Sequence, residues 1–247
     1  MKRFFDIVIS SLALILASPL LLPVIFFVWL QDKHSPFYIA ERVGRSEHIF
    51  KMIKLRSMII NADKTGVDST SANDTRITSL GHFIRKYKLD ELTQLWNVLI
   101  GDMSIVGPRP NVKRETDLYT KEELRLLTIK PGITDFASIV FADEGEILQK
   151  HDDPDIAYNQ LIRPGKGYLG LFYIKHESLK LDVMICYCTI LMMFSRDKAL
   201  SKIQGTLSKL DASEELLKLA SRKYSLKPMP PVGAKTIVTS RDVNRSI

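Results

Sequence analysis

The sequence predicts an α-rich α/β fold with little sheet, attached to an N-terminal membrane helix. Three observations carry that reading. Ile7–Leu30 (IVISSLALILASPLLLPVIFFVWL) is almost wholly apolar and contains no charged residue. Beyond it, helical periodicity recurs at Leu80–Tyr87 and Leu89–Ile100, whereas only two short runs, Phe37–Ala40 and Ile49–Leu55, have strand character. The length of 247 residues suits one compact domain with appendages. With 45% hydrophobic and 26% charged residues, collagen-like, low-complexity and globally disordered chains are excluded.

As a helix, the first apolar segment would rise roughly 36 Å, enough to cross a hydrocarbon core of about 30 Å. It runs longer than a secretory signal and lacks a convincing cleavage site, so it is expected to be retained. Ser18-Pro19 and Pro23 interrupt its middle. Proline removes an N–H and its ring clashes with the preceding turn, which predicts a kink. Lys2 and Arg3 precede the segment and Lys33, Arg42 and Arg45 follow it, so positive charge flanks both sides. The residues alone admit two forms, a re-entrant helix with both ends in the cytoplasm and a spanning anchor with a tolerated kink.

Arg42, Arg45, Lys51, Lys54 and Arg56 crowd the strand region. Asn61–Thr78 is polar and turn-rich, the pattern of a mobile surface loop. In the following helical stretch Leu92, Leu95, Trp96 and Leu99 share one face, and Gly101 supplies a stop. Gly107-Pro108-Arg109-Pro110 is a rigid, extended turn, because each proline fixes its own φ and restricts its predecessor. Lys121–Ile129 reads as a helix closed by Pro131-Gly132. Ile185–Phe194 is too short to span and reads as a core or an interfacial helix. From Ser201 a charged amphipathic helix over Leu210–Leu219 leads into a loosely ordered tail, Lys227–Ile247.

Thirty-five Lys and Arg against 28 Asp and Glu leave a net charge of +7, which favours an anionic partner such as a nucleotide, a phospholipid headgroup or a phosphorylated lipid. Nucleic acid would suit the charge, but no recognition motif accompanies it and it is not expected as a partner. Cys186 and Cys188, the only cysteines, exclude a disulfide framework and point to a reducing compartment.

The strongest chemical constellation is Arg85-Lys86-Tyr87-Lys88-Leu89-Asp90-Glu91. Adjacent acids at a helix start are commonly no more than favourable partners of the helix dipole. Here the neighbouring cations also suit phosphate oxygens. A hard cation such as Mg²⁺ would bridge a carboxylate to those oxygens and leave the second carboxylate able to attack phosphorus. The D-x-D pattern in Asp152-Asp153-Pro154-Asp155 resembles the metal-bound nucleotide-sugar sites of ordinary glycosyltransferases, but no βαβ region precedes it, which favours a solvated turn. The five histidines, His34, His48, His82, His151 and His176, lack metal-ligand spacing. No P-loop, G-x-S-x-G or catalytic cysteine signature is present.

The motifs taken together resemble bacterial sugar transferases, monotopic phosphoglycosyl transferases that act on polyprenyl phosphate. The resemblance covers about Lys2 to Phe194. It runs through Lys2-Arg3-Phe4-Phe5-Asp6, Ser18-Pro19, Phe50-Lys51-Met52-Ile53-Lys54-Leu55-Arg56-Ser57-Met58, Leu80-Gly81, Arg85-Lys86 and Leu89-Asp90-Glu91-Leu92. It continues through Gln94-Leu95-Trp96-Asn97-Val98-Leu99, Gly101 to Pro110 and Pro131-Gly132-Ile133-Thr134.

This resemblance implies a re-entrant helix broken at Ser18-Pro19, on the cytoplasmic face of the bacterial inner membrane. It implies a two-step transfer. Asp90 attacks the sugar-linked phosphorus of a UDP-sugar and expels UMP, and polyprenyl phosphate then displaces Asp90. Glu91, with Asp90, would hold Mg²⁺, and Arg85, Arg109, Lys54 and Arg56 are the expected phosphate contacts. The expected division is 1–31 as re-entrant membrane helix, 32–200 as cytosolic catalytic domain with interfacial helices, and 201–247 as C-terminal helix and tail. Residues from Ser201 onward lie outside the resemblance, leaving homo-oligomer formation, a partner enzyme or no catalytic part for them. After Thr134 the family pattern of glycine, apolar residue, alanine and glutamine is replaced by Asp135-Phe136-Ala137-Ser138, where sugar or uridine recognition is expected to differ. Two other readings stand beside the enzyme: a catalytically silent membrane-tethered scaffold, and a conventional glycosyltransferase using Asp153 and Asp155, which would release UDP.

Overall fold

The computed structural model describes residues 1–62 and 74–240, so most of the polar stretch read as a mobile loop and the last seven residues lie outside the description. Among the described residues the fold is α-rich with two small two-stranded sheets. It packs as two compact units, Met1–Arg42 with Ile49–Ile105, and Val43–His48 with Val106–Ile247.

The first unit begins with α1 (Lys2–Asp32), followed by β1 (Phe37–Val43) and β2 (Ile49–Leu55), which pair. Three helices follow: α2 (Ser79–Lys86), α3 (Leu89–Leu92) and α4 (Leu95–Ile100). α1 stays helical through Pro19 and Pro23. Ser18 lies inside the helix, with its hydroxyl donating to the Ile15 carbonyl at 2.8 Å. The Ser-Pro step, where the break was expected, is a weakened point inside one continuous helical segment. Proline removes one hydrogen bond there without forcing its neighbours out of the helical region.

Both ends of α1 are tied to the same unit. Near its start, Arg3 donates from its guanidinium to the Val98 and Leu99 carbonyls at the end of α4, which complements the negative end of that helix. Asp6 is buried and accepts from the Ser104 hydroxyl at 2.9 Å and the Ile105 N–H at 3.0 Å. Near its end, Val24 and Val28 form a core with Leu55, Ile84 and Leu89. Between these anchorages Leu12, Ile15, Leu16 and Leu22 are exposed, Leu16 to 79%. A spanning helix holds its ends on opposite sides of the bilayer, whereas α1 has both ends on one protein unit and bare apolar residues between. The helix is therefore monotopic, and its basic flanks place it on the cytoplasmic face.

β3 (Ser104–Val106), whose last residue opens the main run of the second unit, pairs with β4 (Gly132–Thr134). Gly107 and Gly132 pack backbone to backbone: a Cβ on Gly132 would lie 2.1 Å from the Gly107 nitrogen. Between the strands come α5 (Lys113–Thr116) and a 3₁₀ helix, Glu123–Thr128, in place of the longer helix expected over Lys121–Ile129. Then follow α6 (Phe136–Val140), α7 (Glu144–Leu148), α8 (Pro154–Ala157), a π-helical turn, α9 (Arg163–His176), α10 (Leu179–Phe194), α11 (Arg196–Lys209) and α12 (Glu214–Ser221). The core gathers Phe136, Ile139, Ile162, Leu169, Tyr173, Ile185 and Ile203, all fully buried. α10 buries Leu181, Ile185 and Cys188 yet exposes Val183, Tyr187, Ile190 and Phe194, so it has both characters the sequence allowed.

The extension departs from expectation in two ways. The helix expected over Leu210–Leu219 begins only at Glu214, as α12, because α11 ends at Lys209, Asp211 turns into the left-handed region and the Ser213 hydroxyl caps a new helix at Leu216 N–H. The tail expected to be loosely ordered is pinned as far as Ser240. Thr120 Oγ1 donates to the Val232 carbonyl, Gln160 Nε2 donates to the Val238 carbonyl at 2.6 Å, and Val232 and Val238 are buried.

Candidate active site

The first unit gathers an acid–base cluster at the start of α3. α2 opens with Thr78, whose hydroxyl accepts from the Gly81 N–H at 2.9 Å. Gly81 sits flush against Ser57, and a Cβ there would fall 1.8 Å from the Ser57 carbonyl oxygen. One turn later Arg85 Nε donates to Ser57 Oγ at 2.9 Å, so the close approach of that glycine aims the guanidinium.

α3 and α4 are stitched to β2 by two polar residues four apart. Thr93 Oγ1 donates to the Ile53 carbonyl at 3.0 Å, Asn97 Oδ1 accepts from the Ile53 N–H at 3.0 Å, and Asn97 Nδ2 donates to the Lys51 carbonyl at 2.8 Å. Both side chains are buried. This lays Asp90 beside β2, where Lys54 resides, and Lys54, Arg85 and Glu91 all act on the Asp90 carboxyl. Burial raises the Asp90 pKa above the usual carboxylate range, the adjacent Glu91 adds to the rise, and Lys54 and Arg85 pull it back. Burial also lowers the Arg85 pKa, against the support of Asp90 and Asp74.

Asp74 and Arg76 complete the cluster. Their ion pair closes at 2.6 Å, and hydrogen bonds from Arg76 hold the Asp74 carboxyl down at about 2. Lys54, Arg76 and Arg85 thus stand with Asp74, Asp90 and Glu91, and their formal charges cancel within the group. A donor diphosphate would bring further negative charge that the cluster has no surplus to meet. A divalent cation fits that deficit, and two adjacent, mutually repelling carboxylates fit the cation. Among the described residues no group of three or more His, Cys, Asp or Glu could hold a metal, so water and substrate oxygens would fill the rest of its shell.

Two further phosphate contacts were expected, Arg56 and Arg109. Arg56 pairs with Asp32 at the end of α1, with guanidinium–carboxylate distances of 2.5 and 2.8 Å, and donates from Nε to the Ser35 carbonyl at 2.9 Å. That geometry anchors the membrane helix. Arg109 belongs to the second unit, where its charge acts on Asp135 and Lys166. The unusual Asp135-Phe136-Ala137-Ser138 is a reciprocal helix cap. Asp135 Oδ1 accepts from the Ser138 N–H at 2.6 Å, and Ser138 Oγ accepts from the Asp135 N–H at 2.9 Å. Asp153 likewise caps α8, accepting from the Asp155 and Ile156 N–H groups, which supports the turn reading of that D-x-D.

Sequence reasoning did not assign roles to Ser57, Asp74, Arg76, Thr93 or Asn97. For Thr93 and Asn97 the signal was present: two polar residues at helical spacing inside an apolar pattern mark a buried hydrogen-bonding face. For Ser57 no local signal exists, because its partner Arg85 is 28 positions away.

The family of bacterial sugar transferases matches residues 1–196. The chain is 36% identical over 214 residues to a UDP-galactose-lipid carrier transferase of Erwinia amylovora, covering 81% of this chain and 41% of that one. It is 37% identical over 204 residues to the exopolysaccharide production protein ExoY of Rhizobium meliloti, covering 76% of this chain and 83% of that one. A putative undecaprenyl-phosphate N-acetylgalactosaminyl 1-phosphate transferase of Bacillus subtilis is 40% identical over 121 residues, which is 49% of this chain and 68% of that one. The chain spans about two-fifths of the length of several of its curated relatives, the Erwinia protein among them. The match over most of its length, through the residues that build the Asp90 cluster, makes this chain a member of the bacterial sugar transferase family.

Proposed function

We propose that this protein transfers a phosphosugar from a UDP-sugar to polyprenyl phosphate, producing polyprenyl-diphospho-sugar and UMP. The observation that carries the reading is a partly buried Asp90, flanked by Lys54, Arg85 and Glu91, on the unit that holds the membrane helix. Relatives of this chain have names that describe sugar-phosphate transfer to undecaprenyl phosphate, with galactose, glucose or N-acetylgalactosamine.

In the first step an Asp90 carboxylate oxygen forms a bond to the sugar-linked phosphorus, and the bond from that phosphorus to the bridging oxygen breaks, so UMP departs with the electron pair. In the second, a phosphate oxygen of the acceptor attacks the same phosphorus and the Asp90 carboxylate is released. The sugar–oxygen bond is untouched, so the anomeric configuration is retained. Lys54 and Arg85 offset repulsion between the carboxylate and the anionic donor, and Arg109 is proposed as a further phosphate contact. Glu91 and Asp90 would hold Mg²⁺, which supplies charge neutralisation at the diphosphate. Burial of Asp90 leaves its carboxylate poorly solvated, which favours attack once the donor is bound. Residues 1–31, 32–200 and 201–247 then serve as membrane helix, catalytic domain and extension.

The test is UMP release in detergent against a panel of UDP-sugars with polyprenyl phosphate. Asp90→Asn is expected to abolish release. A protein that binds glycan enzymes but releases no UMP from any donor would instead be a scaffold, and release of UDP would identify an ordinary glycosyltransferase.

A further inference from the structure

Within the second unit, one face of α9 runs along the turn Gly107-Pro108-Arg109-Pro110-Asn111. Arg163, Lys166, Gly170 and Tyr173 have the i, i+3, i+7, i+10 spacing that shares a helix face. Their partners follow in reverse chain order. The Tyr173 hydroxyl, which donates to Asp182, stands 3.4 Å from the Val106 carbonyl oxygen. A Cβ on Gly170 would lie 3.8 Å from Pro108 Cγ. The Arg109 charge acts on Lys166. Arg163 lies over the Tyr119 ring, 5.8 Å from Cζ to centroid, and the Tyr119 hydroxyl accepts from Asn111 Nδ2 at 2.9 Å. The helix face therefore braces the turn from end to end, with the exposed Arg109 at its middle.

Arg163 is the most firmly fixed member of that face. Its guanidinium donates twice to Glu123, at 2.9 and 2.6 Å, and also to the Asn159 side chain and the Leu118 carbonyl. Both Arg163 and Glu123 are buried. An ion pair open to water is weak and loosely oriented, whereas a dry one with its remaining donors satisfied holds one geometry. The tail contributes to keeping this pair dry. Thr120 N–H donates to Glu123 Oε2 at 3.0 Å, and Thr120 Oγ1 donates to the Val232 carbonyl. Val232 itself lies against α9, where a Cβ on Gly167 would fall 2.7 Å from Val232 Cγ2 and 3.9 Å from Glu123 Oε1. On either side of Val232 the tail bonds to the π-helical turn Tyr158–Ile162. Met229 N–H donates to the Gln160 carbonyl at 2.9 Å, and Gln160 Nε2 donates to the Val238 carbonyl at 2.6 Å. The family match ends at residue 196, so this cover belongs to the extension.

We propose that the tail of the C-terminal extension, residues 227–240, is a positioning element for Arg109. By covering the Arg163–Glu123 pair it fixes Tyr119 and Asn111, and with them the turn that offers Arg109 to the donor phosphate. Thr120 and Val232 are then positioning residues that touch no substrate. The effect on the donor rests on the function proposed above for Arg109, whereas the mechanical link between tail and turn stands on the second unit alone.

The experiment uses the full-length protein in detergent with two substitutions. Val232→Asp sets a carboxylate beside Glu123, and Thr120→Val, the milder change, keeps the volume but removes the hydroxyl bonded to the tail. Hydrogen exchange reads the turn through two amides bonded to its carbonyls, Gly132 N–H to Pro108 at 3.0 Å and Val43 N–H to Asn111 at 2.9 Å. Both are expected to exchange about tenfold faster in either variant, the loss of roughly one hydrogen bond of local stability. The Val98 amide of α4, in the first unit, is expected to stay as protected as in the parent protein. In UMP-release assays the KM for UDP-sugar is expected to rise about tenfold with kcat near the parent value, the pattern of lost binding. In an Arg109→Gln background the same substitutions are expected to add nothing, because the group they position is gone. Unchanged exchange at Gly132 and Val43 overturns the proposal. So does a KM increase that multiplies in full with that of Arg109→Gln, which would mark general destabilisation. Absence of UMP release from the parent protein with every UDP-sugar would instead defeat the proposed function, and with it the effect on the donor, while exchange alone would decide the link between tail and turn.

Discussion

At the scale of single residues, Asp90 is held where its ionisation works against the fold. Burial, with the neighbouring Glu91, raises its pKa in the folded protein. Below the ordinary carboxylate range both folded and unfolded states are protonated, and the residue has no pH-linked effect. As the pH rises from the unfolded value towards the raised folded one, the unfolded state gives up its proton first and the folded state progressively loses stability, the loss being complete above the folded value. Asp90→Asn is therefore expected to raise the melting temperature at neutral pH in chelator, with the gain vanishing in acid, while abolishing turnover; thermal melts across pH check it. The same shift sets the acid limb of the rate profile above the pKa of a free carboxylate, about 3.9. The two neighbouring arginines separate by role. Arg85→Gln should lower turnover by about 10²–10³, as expected for losing one charge-stabilising donor. Arg56→Gln should leave turnover in detergent far less affected and make the Asp32 end of α1 more sensitive to protease, because its partners are Asp32 and the Ser35 carbonyl. Asp90, Glu91, Lys54 and Arg85 were legible because they lie in short motifs. The Arg56–Asp32 pairing was not legible, because the motif around Arg56 gave no hint of a partner 24 positions back.

At the scale of elements, two anchorages are exposed to single substitutions. Asp6→Ala removes the acceptor for the buried Ile105 N–H and the Ser104 hydroxyl, and is expected to cost about 1–3 kcal/mol by denaturant titration. Gly132→Ala places a methyl group against the Gly107 backbone and should destabilise by about 1–3 kcal/mol or more, since neither strand can move aside alone. Element type was readable wherever local pattern decided it: both early strands, α2, and the helical run beginning at Leu89. Which face a helix buries was not. Leu95 is buried while its expected companion Trp96 is 52% exposed, together with Ile100. Burial there follows Asn97 and Thr93, whose bonds to β2 set the rotation of the helix. The division between α11 and α12 was missed for a similar reason, because an amphipathic pattern continues across Asp211 although the backbone does not.

At the scale of the whole molecule, the sequence left open whether α1 spans the membrane or turns back, since length and hydropathy cannot separate the two. Long-range bonds add what they cannot, tying both ends of α1 to one protein unit through Arg3 and Asp6 at one end and Asp32 at the other, which accords with a monotopic helix. Single cysteines introduced at Lys2 and His34, with Cys186 and Cys188 replaced by serine, should both react with an impermeant reagent in inside-out vesicles and neither in right-side-out ones. The tail was read as loose because polar, proline-containing composition does not reveal that Val232 and Val238 find buried seats. The central claim concerns one side chain, and one measurement meets it directly. The purified protein is mixed with a UDP-sugar labelled in its sugar-linked phosphate, without acceptor, and digested for peptide mass spectrometry. The label is predicted to reside on the peptide bearing Asp90 as a phosphosugar ester, and to leave when polyprenyl phosphate is added. Label on a different residue, or turnover with no labelled peptide at any time, would contradict the mechanism.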